Sequence, residues 1–520
     1  MIFKVIAISL VVMSSMTTAY DILVVAPIPY QSHWILMERI IKQLIDRGHS
    51  VTTVSPFKYR SDDYKNENLK EYLIPKYKIE DLFSSKDVFT GKYESDISYI
   101  QAQYKIGLAL SEHTLNQPDV KKLINRNDYK FDVILADNNH LESLYMLAYK
   151  YDCPLITIDV NGISHSVDEA MGVLTPYSFI PHPVSKYENN MTYIQRCYNT
   201  LLHLFEAAVR KFSYIPAQDR LAKKYFHDGI KGNVPHIQDV IKNISVVLSN
   251  SFRVAQKRPK MASQIDIGSA HIRDTYSLPT DLKEILSNSP SSVIYFSLGS
   301  YLKPSEMPKE KLDEIVKAFG KIKKTILWQY DGDIPAGLPD NIIMQKWFPQ
   351  NDLLGNKKVV LFITQGGTLS YQEAISNFVP MLIIPFTGEQ YRNALQAERG
   401  HYGELLLFDD LNEETLIQKI KQITEDNTYF TNIGKTSSKL LDYPMEPVKE
   451  AVFWIQHVCK HKGIEKSPSV NMSWISYYNL DVAALYVAIL LICILFWVLT
   501  IKLIVRRYRK REQRGKFKYY

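Results

Sequence analysis

The sequence predicts an α/β protein made of two parallel-sheet halves, followed by one membrane-spanning helix. Short, nearly all-apolar runs alternate with stretches whose apolar residues recur at helical spacing, as in parallel sheets covered by helices. Near the C-terminus, 20 consecutive residues carry no charge, which is the length that crosses a hydrocarbon core of ~30 Å. The whole chain has 520 residues, too many for one core.

In the first half, predicted strands at residues 21–26 and 51–54 enclose a helical pattern. Gly48 stands where the C-cap of that helix is expected. A strand–helix–strand unit predicts parallel neighbours. Two further strands are predicted at residues 131–136 and 155–158.

The second half repeats this alternation, and the polar, less periodic residues 253–290 between the halves are predicted to be a linker. Its predicted strands are residues 292–297, 325–329, 359–364 and 381–384. Ligands of open α/β sheets bind beyond the carboxyl ends of the strands. The candidate binding loops are therefore residues 27–33, 137–140, 298–301, 347–350 and 365–367.

The two termini predict targeting and membrane attachment. Residues 1–19 combine Lys4, a short apolar core and small residues before a cleavage point, which is typical of a signal peptide. A transmembrane helix is predicted at residues 481–501, and residues 502–520 hold nine Lys/Arg and one acidic residue. This bias predicts a single-pass type I protein with a cytosolic tail and a luminal body. The tail has a net charge of +8 and the whole chain has +7, so the rest of the chain has a net charge of −1. The sequence therefore indicates no nucleic-acid-binding face.

Glycosylation sequons agree with a luminal body. They lie at Asn190, Asn243 and Asn471, and Asn471 is expected to be the least modified because it is close to the membrane. The chain has four cysteines, which excludes a disulfide-dense scaffold. Because Cys493 lies inside the predicted span, the other three allow one disulfide at most, and its pairing stays open.

A long motif in the second half carries a family resemblance. It reads Trp-Phe-Pro-Gln at 347–350, Phe-Ile-Thr-Gln-Gly-Gly-Thr-Leu-Ser-Tyr-Gln-Glu at 362–373, Val-Pro at 379–380 and Pro-Phe-Thr-Gly-Glu-Gln at 385–390. This pattern resembles the donor-binding signature of the UDP-glycosyltransferases. The signal peptide, two-domain body, single span and basic tail resemble the animal, membrane-bound members of the glucuronosyl/glucosyltransferase type. The resemblance implies the GT-B arrangement, in which two Rossmann-like domains face each other and bind acceptor and UDP-sugar respectively.

The predicted domain boundaries combine this resemblance with the composition of the chain. They are a signal peptide at 1–19, an N-terminal acceptor-binding domain at 20–252, a linker at 253–290, a C-terminal UDP-sugar-binding domain at 291–445, a C-terminal helical segment at 446–480, a transmembrane helix at 481–501 and a basic cytosolic tail at 502–520.

A Gly-Gly pair between a strand and a helix suits a diphosphate, because the backbone approaches closely and the helix N-terminus offers free N–H groups. Such a site neutralises the leaving diphosphate without a metal, so no metal or cofactor is expected and UDP-sugar is the co-substrate. The resemblance implies that Trp347 stacks on uracil, that Gln350 and Glu373 bind the nucleoside and ribose hydroxyls, that Gln365, Gly367 and Ser370 with Ser300 bind the diphosphate, and that Glu389 and Gln390 contact the sugar.

Two positions depart from the common family pattern. Many members carry His where this chain has Gln365, and glutamine donates a hydrogen bond but never becomes cationic. Many members carry Asp where this chain has Glu389, whose extra methylene shifts its contact with the sugar. Glucose and glucuronic acid therefore both stay open as the donor sugar.

His33, after the first strand, is the predicted catalytic base. An alcohol is a poor nucleophile until its proton is removed, and a neutral imidazole suits that task. Asp137, after the strand at 131–136, is predicted to orient the ring, and the family has a His–Asp pair at these two places. Of the competing histidines, His49 is expected at the surface and His140 is a candidate for lining the acceptor pocket.

The leading interpretation, implied by the family resemblance and the predicted membrane attachment, is an inverting hexosyltransferase of the endoplasmic reticulum membrane. It is expected to move glucose or glucuronic acid from UDP-sugar to small lipophilic acceptors in detoxification. The alternative is a catalytically silent protein of the same fold that binds UDP-sugar or a lipophile. A receptor ectodomain is disfavoured, since those are usually all-β or disulfide-rich. Asp331-Gly-Asp333 looks like a metal-binding Asp-x-Asp, but it precedes a turn-rich loop. A homo-oligomer stays open.

Overall fold

In the computed structural model, the described residues form two compact units that divide after residue 466. The predicted signal peptide lies almost wholly outside the described residues, as does the end of the basic tail. The structure describes residues 19–59, 67–93, 95–162, 165–253 and 258–516.

The first sheet of the larger unit is parallel throughout, with strand order 3-2-1-4-5-6-7 within the described residues. Its strands are β1 (Asp21–Val25), β2 (Ser50–Ser55), β3 (Leu69–Leu73), β4 (Val133–Asp137), β5 (Leu155–Asp159), β6 (Ile244–Ser249) and β7 (Gln264–Asp266). The helices between them are α1 (Gln31–Asp46), α2 (Ser85–Phe89), α3 (Asp96–Leu115), α4 (Pro118–Asn125), α5 (Met146–Lys150), α6 (His165–Met171), α7 (Tyr193–Val209), α8 (Ile215–Phe226) and α9 (Ile237–Ile241), with 3-10 turns at Ile79–Asp81 and Glu142–Tyr145 and a π-helix at Arg210–Tyr214.

The second sheet is also parallel, with order 10-9-8-11-12-13. Its strands are β8 (Val293–Ser297), β9 (Thr325–Gln329), β10 (Ile342–Gln345), β11 (Val359–Thr364), β12 (Met381–Ile383) and β13 (Gly403–Leu405). The helices of this half are α10 (Thr280–Asn288), α11 (Lys309–Gly320), α12 (Gln350–Leu354), α13 (Thr368–Ser376), α14 (Gly388–Arg399), α15 (Glu413–Glu425) and α16 (Thr428–Leu440), with a 3-10 turn at Pro304–Glu306.

The nearly all-apolar runs became central strands because both faces of each sheet are covered. β4, β5 and β8 are buried along their whole length. Strands of this kind cannot alternate apolar and polar residues, since each side chain meets a helix layer. The prediction of two parallel α/β halves is confirmed.

Two segments pack differently from the prediction. The predicted linker, residues 253–290, contains β7, which extends the first sheet, and α10, which packs on the second. After the second half, α17 (Pro447–His461) returns to the first: Val448 and Ala451 share a core with Ile22 of β1. The first half is therefore closed by residues from the far end of the body.

The smaller unit is dominated by one long helix. It consists of a 3-10 turn at Pro468–Asn471, α18 (Trp474–Tyr477) and α19 (Leu480–Lys516). Residues Leu480–Gln513 of α19 are long and apolar enough to cross a membrane. The helix continues beyond residue 501 into the basic residues that were predicted as a tail.

The strand order determines where ligands can bind. In the first sheet β1 lies next to β4, and in the second β8 lies next to β11. At each of these places the chain direction of the connections reverses, which opens a crevice at the carboxyl ends of the two strands. Each half therefore presents one such crevice.

Candidate active site

His33 and Asp137 meet at the first crevice. His33 follows β1 in the first turn of α1, and Asp137 is the last residue of the adjacent β4. Nδ1 of His33 donates to Oδ2 of Asp137 at 2.7 Å, and both side chains are buried. Because a carboxylate only accepts, this bond places the proton on Nδ1 and leaves Nε2 as the basic nitrogen. His33 was expected in a loop, but α1 begins two residues earlier, at Gln31.

A cavity of ≈ 390 Å³ joins the two crevices. Asp137 does not line this cavity, and its contact with the site is the hydrogen bond from His33. The predicted residues that do line it are His33, Ser300, Trp347, Gln350, Gln365, Gly367, Ser370, Glu373, Glu389 and Gln390.

The second crevice is shaped for close backbone approach. Gln365 follows β11, and Gly299 follows the neighbouring β8 with φ +81°. A Cβ on Gly299 would lie 2.1 Å from Nε2 of Gln365, so any side chain there would displace the glutamine. Gly367 precedes α13 as its N-cap residue. The N-terminus of that helix offers N–H groups and a positive dipole end to an anion.

Glu373, Gln350 and Ser370 form one hydrogen-bonded group. Nε2 of Gln350 donates to Oε2 of Glu373 at 2.7 Å and to Oγ of Ser370 at 2.9 Å. The hydroxyl of Tyr295 on β8 donates to Oε1 of Gln350 at 3.3 Å. Trp347 lines the same cavity and is 47% exposed, so part of its ring is accessible to a ligand.

Glu373 is held in a state that favours a ligand. Burial raises the pKa of this carboxyl to about 7, against the opposing effects of Gln350 and Arg273. The ordinary pKa of this carboxyl is 4.5. As the pH rises from about 4.5 to about 7, ionisation of Glu373 therefore destabilises the unliganded folded state by an increasing amount. Above that range the cost is about 3 kcal/mol. A ligand that donates hydrogen bonds to the carboxylate would offset this cost.

Glu389 and Gln390 already have partners at the cleft. Oε1 of Glu389 accepts from the backbone N–H of Thr368 at 2.7 Å and from the Thr368 hydroxyl. The longer glutamate thus caps α13 from outside, and its removal from water raises its pKa. Oε1 of Gln390 accepts from the backbone N–H groups of Phe386 and Thr387.

Two further cavities open beside the cleft. One, of ≈ 140 Å³, is lined by His33, Asp137 and the predicted acceptor-side residue His140. The other, of ≈ 430 Å³, has a wall of aromatic side chains: Phe83, Phe89, Tyr93, Tyr99, Phe386, Tyr391 and Phe408. His49, predicted at the surface, is fully buried because its ring bonds the backbone of Tyr20 and the side chain of Gln456 on the returning α17.

The cleft residues that sequence reasoning missed include His271 and Arg273, which both lie in the predicted linker. Arg273 makes a two-pronged ion pair with Asp352 at 2.7 and 2.8 Å. No motif in the single sequence around Gly268-Ser-Ala-His-Ile-Arg273 would have singled out these two residues. Within the described ranges, no group of three or more His, Cys, Asp or Glu residues is arranged to hold a metal ion; the metal-free reaction stays a prediction.

Comparisons with known proteins agree with this geometry. The family model described as "UDP-glucoronosyl and UDP-glucosyl transferase" matches residues 21–516. UDP-glycosyltransferase UGT5 of Dactylopius coccus is 28% identical over 95% of this chain and 93% of its own length. Human UDP-glucuronosyltransferase 1A1 is 30% identical over 88% of this chain and 87% of its own length.

Solved glycosyltransferase structures share the fold. A UDP-glucosyltransferase from Polygonum tinctorium superposes with a TM-score of 0.57 at 15% identity, covering 86% of this chain and all of that one. The glycosyltransferase of kitacinnamycin gives 0.54 at 18% identity over 85% of this chain and all of that one. The predicted GT-B fold is confirmed. The chain belongs to the family of UDP-glucuronosyl and UDP-glucosyl transferases, enzymes of the EC 2.4.1 type that move sugar from a UDP-sugar to an acceptor.

Proposed function

We propose that this chain transfers glucose or glucuronic acid from UDP-sugar to a hydroxyl of small lipophilic acceptors, with inversion at the anomeric carbon and with His33 as general base. The observation that carries the proposal is the 2.7 Å bond between His33 and Asp137 at the wall of the same cavity that Gln365 and Glu373 line. A base and a donor site that share one cavity can act on the same pair of substrates.

In the proposed reaction, Nε2 of His33 removes the acceptor proton as the acceptor oxygen attacks the anomeric carbon. Asp137 stabilises the imidazolium that forms, since its carboxylate already holds Nδ1–H. The diphosphate leaves toward the N-terminus of α13. Glu389 already accepts from the Thr368 N–H there, so the next backbone N–H groups of the helix receive the charge. Attack from the His33 side, opposite the leaving group, inverts the anomeric carbon.

The lipophilic acceptor class is supported by the aromatic cavity beside the cleft. That cavity shares Phe83, Tyr99 and Thr387 with the main one, so an acceptor can extend from His33 onto aromatic side chains. Aromatic walls favour flat apolar ligands through burial and ring stacking. The catalytically silent alternative predicts UDP-sugar binding with no turnover on a broad panel of alcohols and phenols.

Replacing Trp347 with alanine should weaken UDP binding by about 1–3 kcal/mol, because the loss removes one base-stacking surface. Calorimetric titration of the full chain with UDP measures this. Trp474→Ala is the matched control, since Trp474 is also exposed, at 62%, and lies outside the larger unit. Unchanged affinity in Trp347→Ala would remove Trp347 from the site, and activity that EDTA abolishes and Mn²⁺ restores would refute the metal-free reaction.

Donor affinity should fall as the pH drops below about 7. Ribose hydroxyls need ionised Glu373 as acceptor, and burial raises its pKa to about 7, so binding at lower pH must expel a proton. The loss approaches about tenfold per pH unit well below the pKa. UDP-glucose is the suitable probe, since its diphosphate diester stays ionised from mildly acidic to mildly alkaline pH. Glu373→Gln cannot titrate there and should give weaker but level affinity; a level wild-type profile would refute the role of Glu373.

The body should be luminal and the tail cytosolic in the endoplasmic reticulum membrane. This topology is predicted because the apolar stretch of α19 is followed by a strongly basic end. Protease added to sealed microsomes should remove only the tail, and detergent should expose the body. Digestion of the body in intact vesicles would reverse the proposed topology. Asn190, which is exposed, offers a second readout through sugar attachment.

A further inference from the structure

His271 is a buried histidine at the nucleoside end of the cleft. It lies between β7 and α10, is 4% exposed and lines the main cavity. Neither of its ring nitrogens makes a hydrogen bond with any group in the described part of the chain. Buried polar atoms without partners are rare in proteins, so this ring calls for a partner that the unliganded state does not supply.

The polar groups beside the ring both accept hydrogen bonds. Nε2 of His271 lies 3.8 Å from Oε1 of Glu373. The backbone of Leu369 is a weak hydrogen-bond partner that favours a proton on the ring, although no ring nitrogen reaches a hydrogen bond of good geometry. Burial lowers the pKa of His271 to about 4, so the ring is neutral at physiological pH and has one N–H to donate. The distance of 3.8 Å exceeds a hydrogen bond, and a movement of about 1 Å would form one.

The other groups that face Glu373 leave one of its oxygens for His271. Oε2 accepts from Gln350, while Arg273 is engaged by Asp352 in a two-pronged pair. The phenol of Tyr295, a neutral group at ordinary pH, lies on the β8 side and bonds Gln350. Oε1 is thus the oxygen that faces His271, on a side chain that lines the cavity.

We propose that His271 is a positioning residue for the donor: when UDP-sugar binds, its Nε2–H donates to Oε1 of Glu373 and holds that carboxylate ionised and oriented toward the ribose hydroxyls. This inference rests on the proposed function, because it assumes that Glu373 binds the ribose. His271 acts through Glu373 and takes no part in the proton transfer at His33.

The test compares two substitutions of nearly equal size, His271→Gln and His271→Met, in the full-length protein. Glutamine keeps a donor near the position of Nε2, whereas methionine does not. Titration with UDP-glucose across pH should show roughly tenfold weaker affinity for the methionine variant at neutral pH. The pH at which this affinity reaches its plateau should stay the same, because that pH follows the unliganded Glu373, which lies beyond hydrogen-bond distance of His271. Glutamine should recover most of the lost affinity.

Turnover separates positioning from catalysis. With saturating UDP-glucose, both variants should keep near-normal kcat and differ in KM for the donor, since His33 is intact. In a Glu373→Gln background, the methionine and glutamine substitutions should have equal effects, because the titrating partner is gone. His271→Phe is a second non-donor variant should methionine fail to fold, as thermal unfolding would report.

Three results would each overturn the proposal: wild-type affinity in both non-donor variants, equal losses in the glutamine and methionine variants, or an undiminished difference between them when Glu373 is glutamine. A wild-type protein that binds neither UDP-glucose nor UDP-glucuronic acid would instead overturn the proposed function. The two failures are therefore distinguishable.

Discussion

Replacing His33 with alanine should lower turnover on an aliphatic alcohol by about 10²–10⁴-fold, the usual contribution of a positioned base. The ring lies against Asp137 at 2.7 Å with Nε2 left for the acceptor. UDP-sugar binding should survive, because the predicted donor contacts all lie in the other half, after β8, β10, β11 and β12. Steady-state rates and calorimetric donor affinity measure the two effects separately.

The acceptor series gives this prediction its control. Acidic phenols, already ionised at the assay pH, should suffer least from the loss of a base. His227→Ala replaces a surface histidine, with its side chain 84% exposed, and should leave all rates unchanged. Near-normal turnover of His33→Ala on an aliphatic alcohol, in a folded protein that binds UDP, would show that His33 is not the base.

Changing Asp137 to asparagine should also slow turnover by about 10²–10⁴-fold, since an amide at this position favours the wrong tautomer of His33 and cannot stabilise the imidazolium. Asp137 is 1% exposed and asparagine keeps its volume, so the fold should persist. The double variant with His33→Ala should be little slower than His33→Ala alone, because effects within one unit do not add. Multiplied losses in the double variant would show that the two residues act independently.

Much of the fold could be predicted because apolar runs covered on both faces leave a clear pattern. The strands at Thr325–Gln329 and Val359–Thr364 have the predicted bounds. β7 has three residues, too few for any periodicity to appear. The start of α1 was missed because its N-cap, Tyr30, carries no side-chain cap that would signal a helix.

The site also combines features that could be predicted from the sequence with features that could not. His33 and Asp137 could be paired in advance because both stand near the ends of predicted strands and the resembled family has a His–Asp pair at these two places. The structure then showed that β1 and β4 are neighbours. The hydrogen bond from Thr368 to Glu389 could not be predicted, because the rotamer of the glutamate decides whether its carboxylate reaches the sugar or the helix. The position of His271 near Glu373 could not be predicted either, because His271 lies in a segment that was predicted to be a linker.

The central claim is a single displacement in which His33 activates the acceptor opposite the leaving diphosphate. The configuration of the product tests it most directly. Nuclear magnetic resonance of the glycoside formed from UDP-α-glucose and a simple phenol should show the β anomer. Formation of the α anomer would require a second displacement or front-side attack, and it would contradict the account.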